Sequence, residues 1–489
     1  MPKKAKAKTK ARKRRRPDPG FLQPGIKTPK TEDYVVVELR HDSKIAFSAA
    51  GFGGPAESER QARSLNNALE SFKVKSCSSH FGLKSGQLET RVTRAPSSLD
   101  VKVTADFAHA GFAQIVPRSA KDVKALVGRL NRNKSVWKAV AAPKPVPAVL
   151  ATGSSRGSRN FEPSQGYLHS APNGIGAMAV WGRRGGRGRR VRICDIEGNW
   201  NRSHEDLPRR IPLLGGTLIN DIGWRNHGTA VLGEMISRPN AFGCVGISHR
   251  ARGAVQSAVI SGVFNTAAAI MNAASRLRRG DVILIELHAP GPTGRYVAMQ
   301  YWDDVFSAIR AATARGITVV EAAGNGNENF QLPIYNGTGL QRDSGAIVVG
   351  AGIPPTNYFD YESAGAANRY KKIGVPRSRI WFSNYGRIVN VQGWGWHVTT
   401  LGYGDAQGGS ENRWYTLRFS GTSSASPIVT GAVACVQGRA RARRGRPLTP
   451  AAVRRLLIST GTPQAAGPGV PRSQHIGPQP NLEAAFRRI

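Results

Sequence analysis

An α/β architecture with a mostly parallel sheet under helical layers is predicted for the larger part of this 489-residue chain. Two observations predict it. From about residue 171 to 489, short apolar and β-branched runs alternate with stretches of helical spacing, the pattern of strand–crossover–strand units. Ahead of them, residues 32–142 begin and end on strand-like runs with helical stretches between, which predicts a separate small α+β domain. The length supports the division, since a single compact core rarely extends so far.

The elements follow in order. Residues 1–16 hold ten Lys/Arg and no acid, so residues 1–31 are read as a disordered polybasic arm. The small domain should run as a strand at Tyr34–Leu39, a helix at Glu57–Phe72, a strand near Phe112–Val116, a helix at Ala120–Leu130 and a strand at Val136–Ala141. Residues 143–170 are rich in Pro, Gly and Ser and are assigned as a flexible, protease-accessible linker. In the larger domain, Val191–Asp195 reads as a strand and the segment after Asn226-His227-Gly228-Thr229 as an apolar helix. Asp281–Leu287 and Ile317–Val320 read as buried strands around a helix placed within Tyr301–Gly316 by Val305, Ile309 and Ala312. Ile347–Ala351 and Val389–Gly393 continue the strand series, and Thr449-Pro450 opens a late helix.

Composition narrows the function classes. No run of 18 apolar residues suggests a membrane span, and the basic start lacks the apolar region of a secretory signal. Cytoplasmic residence is the default expectation, with export by another route left open. Cys77, Cys194, Cys244 and Cys435 fit no metal spacing, and Cys194 is expected to be a small buried strand residue. The formal charge of +39 falls only to +29 without residues 1–16, so the body is basic as well. Residues 1–16 suit contact with a polyanion, or serve as a solubilising tail; no nucleic-acid-binding motif accompanies them.

The chemistry centres on Gly421-Thr422-Ser423-Ser424-Ala425-Ser426-Pro427, which sets a serine between a glycine-led turn and a small-residue helix. A serine hydroxyl is nearly inert at neutral pH and needs an imidazole to take its proton and a carboxylate to orient that imidazole. His227, at a helix start, and Asp195, ending a strand-like run, are the candidates. Asn325, in Glu321-Ala322-Ala323-Gly324-Asn325 after a buried strand, offers an amide for a developing oxyanion.

These segments, in the chain order Asp, His, Ser, resemble those of subtilisin-like serine proteases, the subtilases. The resemblance implies a doubly wound, mostly parallel sheet flanked by helices, and a serine endopeptidase acting on proteins or peptides through an acyl-enzyme, with Ser423 as nucleophile, His227 as general base, Asp195 as its carboxylate and Asn325 in the oxyanion hole. It further implies substrate-binding roles for Glu286, Leu287, His288, Ala323 and Gly324. No cofactor is required for this chemistry, but Asp206 and Asn240 match part of the family's structural calcium site. Residues 32–142, ending in Asn133–Val140, resemble a ferredoxin-like propeptide, implying a zymogen whose own leading domain inhibits it until processing; a permanently attached domain is the alternative.

Departures from the family pattern are also visible. Ile196-Glu197-Gly198 follows Asp195 where a hydroxyl residue and Gly are usual. Glu286 and Glu321 add carboxylates near the expected specificity pocket, which would favour basic residues at the cleavage site unless both are buried in hydrogen-bonding roles. The competing function is a catalytically silent subtilase-like protein that binds polyanions through its arm.

Overall fold

The computed structural model describes residues 33–40, 46–48, 51–53, 59–72, 76–79, 112–117, 119–142, 144, 158–355 and 374–489. The arm at 1–31 lies outside them.

The leading domain is a βαββαβ unit. Strands β1 (Val35–Leu39), β2 (Ser76–Ser79), β3 (Phe112–Val116) and β4 (Val136–Ala141) form an antiparallel sheet in the order β2-β3-β1-β4. Helices α1 (Glu59–Ser71) and α2 (Val123–Leu130) fall between the strands, and Leu65, Leu126 and Leu130 join Val35, Val37 and Ile115 in its core. This is the ferredoxin-like order expected from the sequence. The expected elements are present, helix α1 within the predicted 57–72. Strand β2 was not expected: Ser-Cys-Ser-Ser carries almost no β-propensity and is recruited by pairing with β3.

The opposite face of that sheet packs against the larger domain. Tyr34, Val36, Phe112 and Val116 join the apolar cluster of the larger domain. Asn265 donates to Gln114 at 3.0 Å, the Tyr34 hydroxyl donates to the Phe264 carbonyl, and Lys138 pairs with Asp303 at 2.7 Å.

The larger domain is built on a six-stranded, all-parallel sheet. Its strands are β5 (Arg192–Glu197), β6 (Arg252–Ser257), β7 (Val282–Ile285), β8 (Thr318–Ala322), β9 (Ile347–Gly352) and β10 (Val389–Trp394), in the order β10-β9-β8-β7-β5-β6. Helices cover both faces, so the strands are buried on both sides. The chain leaves β5 toward β6 on one side and returns to place β7 on the other. Beside β5 the winding reverses, and a crevice opens at the carboxyl ends of β5 and β7.

Helix α3 (Ile222–Ile236), capped by Asp221 accepting from the Trp224 N–H at 3.0 Å, and the long helix α6 (Thr422–Arg444) meet on one face. Helices α4 (Thr266–Arg276) and α5 (Asp303–Ala314) pack on the other. Helices α7 (Pro450–Thr460) and α8 (Leu482–Arg487) close the chain. Strand β6 and helix α4 were not anticipated: Arg-Gly-Ala-Val-Gln-Ser has neither a clean alternation nor an apolar run. The segment 143–170, expected to be a linker throughout, is fixed to the body from Ser158 onward. Phe161 N–H donates to Gly243 at 2.7 Å, and Tyr167 and Leu168 are fully buried. Cys194, Cys244 and Cys435 are buried free thiols, and no helix of the described residues is long and apolar enough to cross a membrane.

Candidate active site

Two strand ends and two helix starts converge at the crevice. Strand β5 supplies Asp195 and Glu197, which share a face because side chains alternate along a strand. Helix α3 carries His227 in its second turn, and its Nδ1 meets Glu197 Oε1. Asp195 is not the partner of His227. It lies one pleat farther back, and its carboxylate accepts from Trp200 Nε1 at 2.7 Å. The longer side chain at the last strand position reaches the imidazole; the shorter one behind it does not. Gly228 permits this approach, since a Cβ there would lie 2.7 Å from Glu197 Oε2 and 2.3 Å from the Asn199 carbonyl.

The pair is dry. His227 is 1 % exposed and Glu197 wholly buried. Burial pushes the Glu197 carboxyl up and brings the His227 imidazole down to about 3, so the imidazole rests neutral. Its Nε2 has no partner among the described residues and is free to accept a proton. Phe419 packs edge-on against the ring at 5.4 Å.

Ser423 lies in the first turn of α6, where backbone N–H groups have no intrahelical acceptor. Gly421 before it adopts φ +107°, which a side chain would resist. Asn325 is tied to the same turn: its Oδ1 accepts from Thr422 N–H at 2.9 Å and from Thr422 Oγ1 at 3.0 Å, leaving the Nδ2 amide as the donor. Thr422 Oγ1 in turn accepts from Gly324 N–H at 3.1 Å. The Ser423 N–H and Asn325 Nδ2 thereby flank one turn in the manner of an oxyanion hole.

The loop carrying Ala323, Gly324 and Asn325 is held by a residue that the sequence did not single out. Asn384 Nδ2 donates to the Ala323 carbonyl at 2.7 Å and to the Tyr296 carbonyl at 2.8 Å, while its Oδ1 accepts from Gly326 and Glu328 N–H. An Asn flanked by Ser and Tyr gives no sequence signal of such a role.

Glu286 follows β7 and turns inward. The Ser426 hydroxyl donates to its Oε1, and the Ser423 side chain also hydrogen-bonds it, while burial raises its pKa well above the ordinary value. Asp195, Glu197 and Glu234 lie within electrostatic reach, so several carboxyls share a dry region beside His227. Burial likewise raises Glu321, to about 8, and its Oε1 accepts from Gln300 N–H at 2.8 Å. Both groups thus take the buried hydrogen-bonding role, and neither carboxyl stands open to a basic substrate side chain. Leu287 is buried in the core, and His288 begins a short antiparallel hairpin, His288–Pro290 with Tyr296–Ala298, where it stacks on Tyr296 at 4.3 Å.

Asp206 and Asn240 do come together, but as partners of one another. Asn240 Nδ2 donates to Asp206 Oδ1 at 2.8 Å, and Cys244 N–H donates to Oδ2 at 2.7 Å. Asn240 Oδ1 accepts from Phe242 N–H, and burial lifts Asp206 to about 7. With N–H groups on these oxygens and no cluster of three His, Cys, Asp or Glu among the described residues, the pair does not fit a hard cation.

The Subtilase family model matches residues 216–477. Among solved structures, a protease from Pseudoalteromonas arctica is 20% identical with a TM-score of 0.47, over 68% of this chain and 99% of that one. The prenylagaramide maturation protease PagA is 19% identical with a TM-score of 0.44, over 64% and 97%. No curated protein matches.

Proposed function

Since this chain belongs to the subtilase family and is a subtilisin-like serine peptidase, we propose that it is an endopeptidase whose triad is Glu197, His227 and Ser423. The contact of Glu197 with His227 Nδ1 carries the reading, because it leaves a neutral imidazole with Nε2 open on the side away from the carboxylate.

In the first step, Ser423 Oγ attacks the scissile carbonyl while its proton passes to His227 Nε2. The imidazolium so formed lies against Glu197, whose negative charge offsets the new positive one in a water-poor region. Asn325 Nδ2 and the Ser423 N–H receive the oxyanion, aided by the positive end of α6. Collapse returns the proton from Nε2 to the leaving amine, and water repeats the sequence on the acyl-enzyme. In the resting state the Ser423 side chain bonds to Glu286 while His227 Nε2 has no partner among the described residues, so the hydroxyl turns from Glu286 to His227 before the attack.

The leading domain is assigned the role of an inhibitory propeptide, on its ferredoxin-like order and its contacts with α4 and α5. Processing then falls between Lys144 and Ser158, ahead of the folded body. The test is a fluorophosphonate probe with a casein substrate, using the full chain and Ser423→Ala. Labelling and cleavage that depend on Ser423, with loss of the leading domain from the active species, are the expected result. An unlabelled chain, even after removal of the leading domain, overturns the endopeptidase; an active species of full length overturns only the propeptide.

A further inference from the structure

All six strands of the large sheet run the same way, so their starts form one edge and the catalytic crevice lies at the other. The starting edge is built from arginine. The loop entering β5 has six arginines and no acid between residues 183 and 192. Arg250 and Arg252 flank the start of β6, Arg276, Arg278 and Arg279 precede β7, and the end of α6 with the turn after it carries five more between 439 and 446.

Close contacts assemble these segments into one surface. The 183–190 loop lies directly on α6, where a Cβ on Gly185 would come within 2.2 Å of the Gly438 carbonyl. Arg250 N–H donates to the Arg187 carbonyl at 2.9 Å, and Arg192 Nη1 to the Arg276 carbonyl at 3.0 Å. Arg441 reaches the carbonyls of both Arg190 and Arg279. The surface is charged with little compensation. These segments contain one acid, Asp281, and it already accepts from Arg192 N–H, Arg278 N–H and Arg441. Burial and then Arg443, Arg183 and Arg184 hold Arg439 below the usual guanidinium value, the mark of like charges gathered together. Arg183, Arg184, Arg443 and Arg444 are exposed.

We propose that this arginine edge is a second functional surface, a docking site for the phosphate backbone of nucleic acid, lying across the sheet from the catalytic crevice. Guanidinium groups take phosphate oxygens in pairs, which a lysine cannot do, and every Lys/Arg in the described residues from 158 onward is arginine. Extended, unneutralised positive charge fits a linear polyanion, whose bound counterions are released on contact. A membrane is the poorer fit, because among the described residues the exposed large apolar side chains lie outside these segments.

The experiment measures binding of the full chain, of the chain without residues 1–31, and of a Arg183→Glu/Arg184→Glu/Arg443→Glu/Arg444→Glu variant. The probes are a labelled DNA duplex of about 20 base pairs, a single-stranded RNA of about the same length, and phosphatidylserine vesicles, across a salt series. The full and armless chains should both bind nucleic acid with a steep salt dependence. The fourfold variant should bind about tenfold or more weakly with a shallower salt slope. Unchanged fluorophosphonate labelling at Ser423 shows that the variant is folded, and a Arg443→Ala/Arg444→Ala variant should give a smaller loss in the same direction. The proposal is overturned by nucleic-acid affinity within about twofold of the parent in the fourfold variant, by loss of all binding with residues 1–31, or by vesicle binding without nucleic-acid binding.

Discussion

Asp195 and Glu197 stand two residues apart on β5, and their division of labour rests on reach. Glu197→Gln keeps the shape but removes the charge that steadies the imidazolium, so kcat/KM should fall by about 10³–10⁴. Asp195→Asn retains an acceptor for Trp200 Nε1 and should cost about tenfold or less. Peptide hydrolysis by the two purified variants decides the matter, and the reverse ranking would restore Asp195 to the triad. Ionisation offers a second test. The base form of His227 is the active one, and burial lowers its pKa from 6.5 to about 3, so the base persists as pH falls. The acid limb of kcat/KM should therefore lie well below pH 6.5; a limb at or above that value contradicts a neutral buried imidazole. Of the proposed triad and its oxyanion donor, Ser423, His227 and Asn325 are read from residue type and flanking pattern. The proposed carboxylate is not so read, because period-two alternation puts Asp195 and Glu197 on one face and only the end of the strand separates them.

At the level of elements, the turn into α6 holds the site in register. Gly421 at φ +107° brings Thr422 under Asn325, and a Cβ at Gly421 would come within 3.0 Å of Asn325 Nδ2. Gly421→Ala should impose backbone strain of about 1–3 kcal/mol and displace the oxyanion donor. Turnover should fall by about 10–10², with a smaller effect on KM, as steady-state kinetics would show. A variant with parental turnover would mean that the amide is not used. The buried strands β7, β8, β9 and β10 could be read from apolar runs. Strands β2 and β6 could not, since each gains its strand conformation from a paired neighbour rather than from its own residues.

For the whole molecule, the leading domain is joined to the body by a face that contains an ionisable group. Burial raises Glu38 to about 7, helped by Asp303 and Asp304 across the interface and opposed by Lys138 and Arg342. The docked state thus retains a proton that the separated domain gives up near 4.5. Docking should be strongest at acid pH and weaken as pH rises through 7. After cleavage of the connection, gel filtration should find the domain with the body at pH about 5 and increasingly apart at pH about 9. Glu38→Gln should flatten that change, and an unaltered profile would assign the dependence elsewhere. The one-way run of the large sheet has a geometric consequence of its own. Six-residue strands such as β5 set about 20 Å of solid protein between the arginines and the crevice. A molecule lying arginines-down on a charged polymer would face its mouth outward, so attachment would decide where cutting happens and leave the cutting itself untouched.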